Sequence, residues 1–365
     1  MKQERPLLIV TSCTRNYGWV TRAFLEGNTR WADYIIIVDQ MSTDATRPLI
    51  EEYNKLYREE SSIDDRLKMI DDPNHLDATR LDPADLDNRV IHKAEIVIVD
   101  DPDMTYKENT RAKMGFMKGR ELAAGRDAIY FALDIDEVMP ANWMQTEDGK
   151  KILTSKPGDM YQLEWANILP DGKTCDRSGW QYKIFHDNGM AWQDVNIQMH
   201  TPLLPYVTWD TIPEEIHDFP LLHFGRYHEK WLYYKGVYYQ FLDVHQKRSK
   251  SVVSLYRTYH SSTYEAFEKK PIDTAWLYDD IDLIGQVDVE SAPIFFGYIK
   301  ELIKEDGLAK FQALDVWTDE FCDASGVKDP RSLRWRILHA YLRATKPICR
   351  SIVVRGVDKI LKFFV

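Results

Sequence analysis

Cysteine is scarce: the 365-residue chain has four, Cys13, Cys175, Cys322 and Cys349, and no C-x-x-C pair. That excludes a disulfide framework and a zinc knuckle, and it fits reduced thiols in a cytoplasmic protein. Positive charge is also in deficit. Lys and Arg number 47 against 58 Asp and Glu, a net charge of −11. A protein that coats nucleic acid needs a basic face to neutralise phosphates, so nucleic acid is not an expected partner. No apolar run reaches the ~18 residues of a membrane span, and the run after Met1 is too short for a signal peptide. No Gly-rich loop follows the first apolar run, where Thr11 to Gly18 holds only Gly18. No repeat of solenoid length is present. Aromatic residues, by contrast, are plentiful, with 11 Trp and 20 Tyr.

Four short apolar runs organise the first 140 residues: 7–11, 34–38, 96–99 and 129–133. Each is rich in β-branched or aromatic residues throughout, the pattern of a strand whose sheet is covered on both faces. Segments 46–57 and 110–124 have helical spacing, and Gly125 is placed to stop the second. Strands alternating with helices predict an α/β fold with a mostly parallel sheet flanked by helices. The Asp-rich stretch 59–88, interrupted by Pro73 and Pro83, reads as an insertion or long loop. From Tyr161 to Tyr206 the pattern turns to short strands with turn residues such as Pro170-Asp171-Gly172. After His245 the chain reads as helical, at 248–258, 292–304 and 334–344. The predicted division is therefore 1–245 and a helical C-terminal region, 246–365. The last segment mixes Arg350, Arg355, Lys359 and Lys362 with Ile352, Val353, Ile360 and Leu361. It reads either as a basic amphipathic helix on an anionic membrane surface or as a helix docked on its own protein.

In open α/β sheets, ligands bind beyond the carboxyl ends of the strands. Acidic residues gather after three of the four runs: Asp39 and Asp44, then Asp100, Asp101 and Asp103, then Asp134, Asp136 and Glu137. Asp134-Ile135-Asp136 is the sharpest signal. Two carboxylates two residues apart on extended chain point to one side. Hard oxygen donors of that kind suit Mg²⁺ or Mn²⁺, which share their shell with water and substrate phosphates. Such a cation would bridge a diphosphate and offset the charge that develops as it leaves.

The order of these motifs resembles that of the GT-A glycosyltransferases, in particular family 2 and its relatives. The family pattern is a strand ending in D-x-x-S-x-D-x-T, a helix with small residues, and a strand ending in L-D-a-D-E. This chain has Ile37-Val38-Asp39-Gln40-Met41-Ser42-Thr43-Asp44-Ala45-Thr46, then 111–125, then Phe131-Ala132-Leu133-Asp134-Ile135-Asp136-Glu137. The likeness covers residues 6 to 140 and, more loosely, continues to about 235. It implies a GT-A domain over 1–245, with a nucleotide-sugar and metal half (1–140) and an acceptor half (141–245). It implies a base contact from Asp39 with Asp44 nearby, Thr11 and Arg15 along the nucleotide, and Arg111 or Lys113 at the phosphates. A third metal ligand would be His223, within Leu222-His223-Phe224-Gly225, with His200 a second candidate. The base that deprotonates the acceptor would be Asp194, after Trp192, with Glu137 beside the metal motif as the alternative. The implied activity is transfer of a sugar, with inversion, from a UDP- or GDP-sugar to a hydroxyl of a glycan or lipid-linked acceptor. The implied location is the cytoplasm or the inner face of the membrane. A nucleotidyltransferase of related fold and an inactive glycan-binding domain are the alternatives.

Overall fold

The computed structural model describes residues 5–60, 94–105, 107–194, 203–205, 212–246, 251–260, 267–291 and 295–362. The predicted insertion (from residue 61 on) and His200 lie outside the described residues. The chain divides into two compact units, Met1–Tyr227 with Lys269–Ala292, and His228–Glu268 with Pro293–Val365.

The first unit is α/β. Its strands are β1 (Leu7–Thr14), β2 (Tyr34–Asp39), β3 (Glu95–Asp100), β4 (Ala128–Ala132), β5 (Glu137–Val138), β6 (Met160–Ile168), β7 (Thr174–His186), β8 (Glu214–His223) and β9 (Lys270–Pro271). They form one sheet in the order β3-β2-β1-β4-β7-β6-β8-β5, with β9 paired to β7. The first four strands are parallel, joined by α1 (Gly18–Asn28), α2 (Thr46–Glu60) and α3 (Glu108–Ala123). α4 (Glu147–Leu153) precedes β6.

The apolar runs are strands for the expected reason. Leu8, Val10, Ile35, Ile37 and Phe131 face one core, with Phe24 and Leu25 of α1 and Ile50 and Tyr53 of α2. Leu7, Ile9, Ile36 and Tyr130 face the other, with Phe116 and Ala123 of α3. Alternate residues are thus buried on opposite faces. A fully buried side chain of this size is worth about 1.5–3 kcal/mol. Trp31, Trp143 and Phe131 meet edge to face, with ring centroids 4.7–5.4 Å apart. Small residues bring α3 close to the sheet. A Cβ on Gly115 would lie 3.5 Å from Thr11 Cβ. α3 ends where Ala124 and Gly125 both turn left-handed, at φ 51° and 84°.

The sheet is evenly mixed, which corrects the expected mostly parallel one. β7 runs antiparallel to β4, β6 and β9, β8 pairs parallel with β6, and β5 pairs antiparallel with β8. The cause is local. The turn at Asp171-Gly172 folds β6 back on β7, with Asp171 accepting from the Lys173 and Thr174 amides.

The second unit is helical, with α5 (Glu229–His245), α6 (Val252–His260), α7 (Phe296–Asp306), α8 (Asp319–Ser325), α9 (Leu333–Ala344) and α10 (Ile352–Leu361). The expected boundary at residue 245 therefore moves. α5 packs its Trp231, Tyr234 and Phe241 against Phe295, Phe296, Phe311 and Phe321 of this unit. Residues 269–292 return to the first unit, where Tyr278 donates to Gly27 O and Arg30 pairs with Asp280. Among the described residues, no helix is long and apolar enough to cross a membrane.

Candidate functional site

β1 is flanked by β2 on one side and β4 on the other, so the strand order reverses beside it. Crevices form at the carboxyl end of such a reversal. β4 ends there, and the chain turns at Asp134-Ile135-Asp136. The Glu137 amide donates to Asp134 O at 2.9 Å, and the Asp134 amide donates to Glu137 Oε2 at 2.8 Å. The turn is then stitched to β8: Glu137 pairs with His223, and the Phe224 amide donates to Asp136 O at 2.8 Å. On the other side of β8, His223 is in register with Asn167 of β6. Glu137, His223 and Asn167 thus stand in a row across three strands.

This row sets the chemistry of His223. Asn167 Nδ2 donates to Asp176 O at 3.0 Å and Ser178 Oγ at 3.2 Å, which fixes the amide with Oδ1 toward the imidazole. Oδ1 lies 2.7 Å from His223 Nδ1, so Nδ1 carries the proton and donates. Nε2 is left with a lone pair, 3.6 Å from Asp136 Oδ2. Trp165 stacks on the same imidazole, with centroids 4.6 Å apart and planes 15° apart. Gly225 keeps the space beside them open. A Cβ there would come within 2.5 Å of His223 Nε2 and 3.3 Å of Asp136 Oδ2.

A buried lysine completes the cluster. The β4–β7 register places Ile184 opposite Phe131, which carries Lys183 to the end of β4. Lys183 Nζ is 2.7 Å from Glu137 Oε2 and 3.0 Å from Asp134 Oδ2, with only 3% of its side chain exposed. Burial works against the ammonium, yet Asp134 and Glu137 outweigh it and hold its pKa above the usual lysine value. Glu137 is wholly buried, which pushes its carboxyl up to about 8 against the pull of Lys183. Its neighbours all donate: Lys183 Nζ, the Asp134 amide and Trp165 Nε1 at 2.6 Å. Three donors and no acceptor match the ionised carboxylate, and that is the form the geometry holds.

The other expected residues fall into three groups. Asp39 is buried and organises its own turn: Oδ1 accepts from the Ser42 amide at 3.1 Å and from Ser42 Oγ, and Oδ2 faces Arg47 at 3.4 Å. Arg47 also binds Asp100, so it bridges the ends of β2 and β3. Asp44 serves two helix starts, with Oδ2 accepting from the Gly18 amide and Oδ1 from the Thr46 amide, each at 2.9 Å. Arg111 is buried on α3 and clamps the loop after β3, through Asp101 Oδ2 at 2.7 Å and the carbonyls of Asp103 and Thr105. These three hold the crevice walls.

Thr11 is not at a strand end. β1 runs on to Thr14, and Thr11 lies under Gly115 of α3. The end of β1 presents Ser12 and Thr14 instead, with Arg15 following. Ser12 Oγ and Thr14 Oγ1 are buried and have no hydrogen-bond partner among the described residues. Leaving such a group unmet costs about 1–3 kcal/mol. Cys13 between them is neutral, because burial pushes its thiol up to about 12. Asp194 is exposed and ion-paired with Lys113 of α3 at 2.9 Å, and Trp192 before it donates to Asn109 Oδ1 at 3.3 Å. Asp194 is tied to α3, whereas the Asp134–Asp136 turn is tied to β7 and β8.

Among the described residues, no group of three or more His, Cys, Asp or Glu side chains is placed to hold a metal ion, so the expected ligands Asp134, Asp136 and His223 do not come together as a set of three. Two donors face each other, Asp136 Oδ2 and His223 Nε2. Two lone pairs held 3.6 Å apart by separate strands suit a hard cation that fills the rest of its shell with water and phosphate. Asp136 and His223 are thus the pair that the described residues offer to a divalent ion of the Mg²⁺ or Mn²⁺ kind.

Lys183, Asn167 and Trp165 were not among the residues expected at the site, while Ser12 and Thr14 stood out only as residues after the first apolar run and Gly225 only within the motif around His223. Lys183 did carry a signal, as one charge in the otherwise apolar end of a strand, Tyr182-Lys183-Ile184-Phe185. No protein-family model matches the chain, and no curated protein matches it.

Proposed function

We propose that the chain is a GT-A-type, metal-dependent glycosyltransferase. It would move a sugar from a UDP- or GDP-sugar to a hydroxyl of a glycan or lipid-linked acceptor, with inversion. The observation that carries this reading is the Asp134-Ile135-Asp136 turn at the strand-order reversal, facing the lone pair of His223 across 3.6 Å.

Asp136 and His223 would hold the cation, with Asp134 beside them in its ion pair with Lys183. When bound, it would supply positive charge beside the diphosphate leaving group. The chain's own groups prepare that place. Asn167 fixes the tautomer that presents Nε2. Lys183 takes Asp134 Oδ2, which orients that carboxylate. Ser12 and Thr14 would offer their hydroxyls to the nucleotide at the end of β1, and a hydrogen bond gained there offsets the unmet groups. Asp39 and Asp44 would shape the base pocket by holding the 39–46 turn.

The test is thermal unfolding with UDP, GDP or CDP, with and without Mn²⁺ or Mg²⁺. A ligand at 100 times its Kd adds about 2.7 kcal/mol. The expected result is stabilisation by one nucleoside diphosphate that requires the metal. No metal-dependent stabilisation by any of them overturns the proposal. Sugar-nucleotide hydrolysis that is lost in Asp136→Ala, with the fold intact, separates an enzyme from a binding module.

A further inference from the structure

The second unit exposes more aliphatic surface than its own packing uses. On α10, Val354, Asp358 and Leu361 are turned inward. Ile352 is 87% exposed, Val353 76%, Val357 38% and Ile360 59%. At about 100° per residue, these four and Gly356 fall on one continuous sector. Arg355, Lys359 and Lys362, all exposed, fall on the next sector, between the apolar face and the docked face. On α9, Leu333 and Ile337 are 73% and 62% exposed, and exposed Ala340 and Ala344 continue the same stripe at helical spacing.

The charge on these helices is mostly positive, although Arg331, Arg336 and Arg343 are paired with Asp315 and Asp329. Residues 331–365 contain nine Lys or Arg and a single acid, Asp358, in a chain whose net charge is −11. That acid is turned inward. Asp358 accepts from Arg257 Nε at 2.8 Å and from Tyr341 OH at 3.1 Å, and Arg257 also reaches Leu342 O and Thr345 Oγ1 at the end of α9. Arg257 therefore locks α10 onto α9 with its polar partners inside and its apolar and basic sectors outside.

We propose that the outward faces of α9 and α10 dock on an anionic lipid bilayer, with α10 lying in the plane of the interface. A helix that carries aliphatic residues on one sector and Lys and Arg on its border has the two parts that such binding needs. The apolar part enters the boundary between headgroups and acyl chains, and the basic part meets anionic headgroups. Other occupants fit less well. Nucleic acid has no use for the aliphatic centre. A second copy of the chain in two-fold contact would set the same basic border against itself. The proposal is independent of the reaction carried out by the first unit.

The test is co-sedimentation of the full chain with phosphatidylglycerol–phosphatidylcholine vesicles and with phosphatidylcholine vesicles alone. Binding to the anionic vesicles, released by salt, is expected, with little binding to the neutral ones. The variants Ile352→Ser with Ile360→Ser, and Arg355→Glu with Lys359→Glu, should each weaken binding about tenfold or more with thermal unfolding unchanged. The neutral pair Arg355→Gln with Lys359→Gln serves if the charge reversal disturbs α10. Failure of the unaltered chain to bind anionic vesicles overturns the proposal. So does binding that all these variants retain, or a concentration-dependent dimer that the same variants dissolve.

Discussion

His223 Nε2 stands 3.6 Å from Asp136 Oδ2 while its other ring nitrogen is committed to Asn167. The imidazole is oriented by one strand and aimed at a carboxylate on another. Asn167 should therefore matter to a cation it does not touch. Asn167→Leu should lower Mn²⁺ affinity about 10- to 100-fold, read by calorimetry, with far-UV circular dichroism unchanged. Asn167→Asp, which keeps an acceptor opposite Nδ1, should retain most of the affinity. Equal affinity in all three proteins would remove Asn167 from the site.

Lys183 and Glu137 form a buried pair. Removing one partner from such a pair leaves an uncompensated charge and costs about 3–5 kcal/mol. Lys183→Met should lose stability on that scale in denaturant unfolding. Adding Glu137→Gln to it should recover at least about half. Strictly additive losses would mean that the two groups are not coupled.

Ser12 and Thr14 make a prediction that separates structure from binding. Their hydroxyls are buried without a partner among the described residues, so Ser12→Ala and Thr14→Val should leave the free protein as stable, or more stable by up to about 1 kcal/mol. The same variants should weaken stabilisation by the nucleoside diphosphate. A loss of stability in the free protein would show that the hydroxyls serve the fold instead.

In the second unit, burial lowers His260 from 6.5 to about 4, opposed by Asp315 and reinforced by Lys346, His339 and Arg343. The folded pKa is the lower one. Between pH 6.5 and 4 the unfolded chain takes a proton that the folded chain refuses. Stability is therefore full above pH 6.5 and falls as the pH drops, by up to about 3 kcal/mol for this group. His339 is lowered too, again chiefly by burial, and acts in the same direction. His260→Phe, which can keep the stack on Tyr256, should flatten the melting temperature between pH 6.5 and 4. An unchanged slope would exclude His260 as a source of acid sensitivity.

The parallel half of the sheet was legible because its strands are buried on both faces and read as unbroken apolar runs. The end of β1 was not. Its run of apolar residues stops at Val10, but the strand continues through Thr14, with Thr11, Ser12 and Thr14 buried. Thr11 was therefore taken for the end of the strand, to which Ser12 and Thr14 lie nearer. Asp134 and Asp136 were legible because two carboxylates after a buried strand are rare enough to notice. Lys183 and Asn167 were not, since their roles depend on the β4–β7 and β6–β8 registers, which no local pattern specifies. The helix α5 was not read from the sequence, where helices were expected only after His245, so residues 229–245 were assigned to the first domain.

The ladder that joins Asp136 to His223 also has a kinetic side. One donor comes from the end of β4 and the other from the end of β8, with β6 and β7 between them in the chain. Contacts so distant in sequence form late, because the long loop must close before they can reward it. The early βα units can collapse around their apolar runs without this contact. The proposed cation site would exist only once β6, β7 and β8 have found their register. Metal binding should then slow unfolding more than it speeds folding, acting as a latch on the last strand to join.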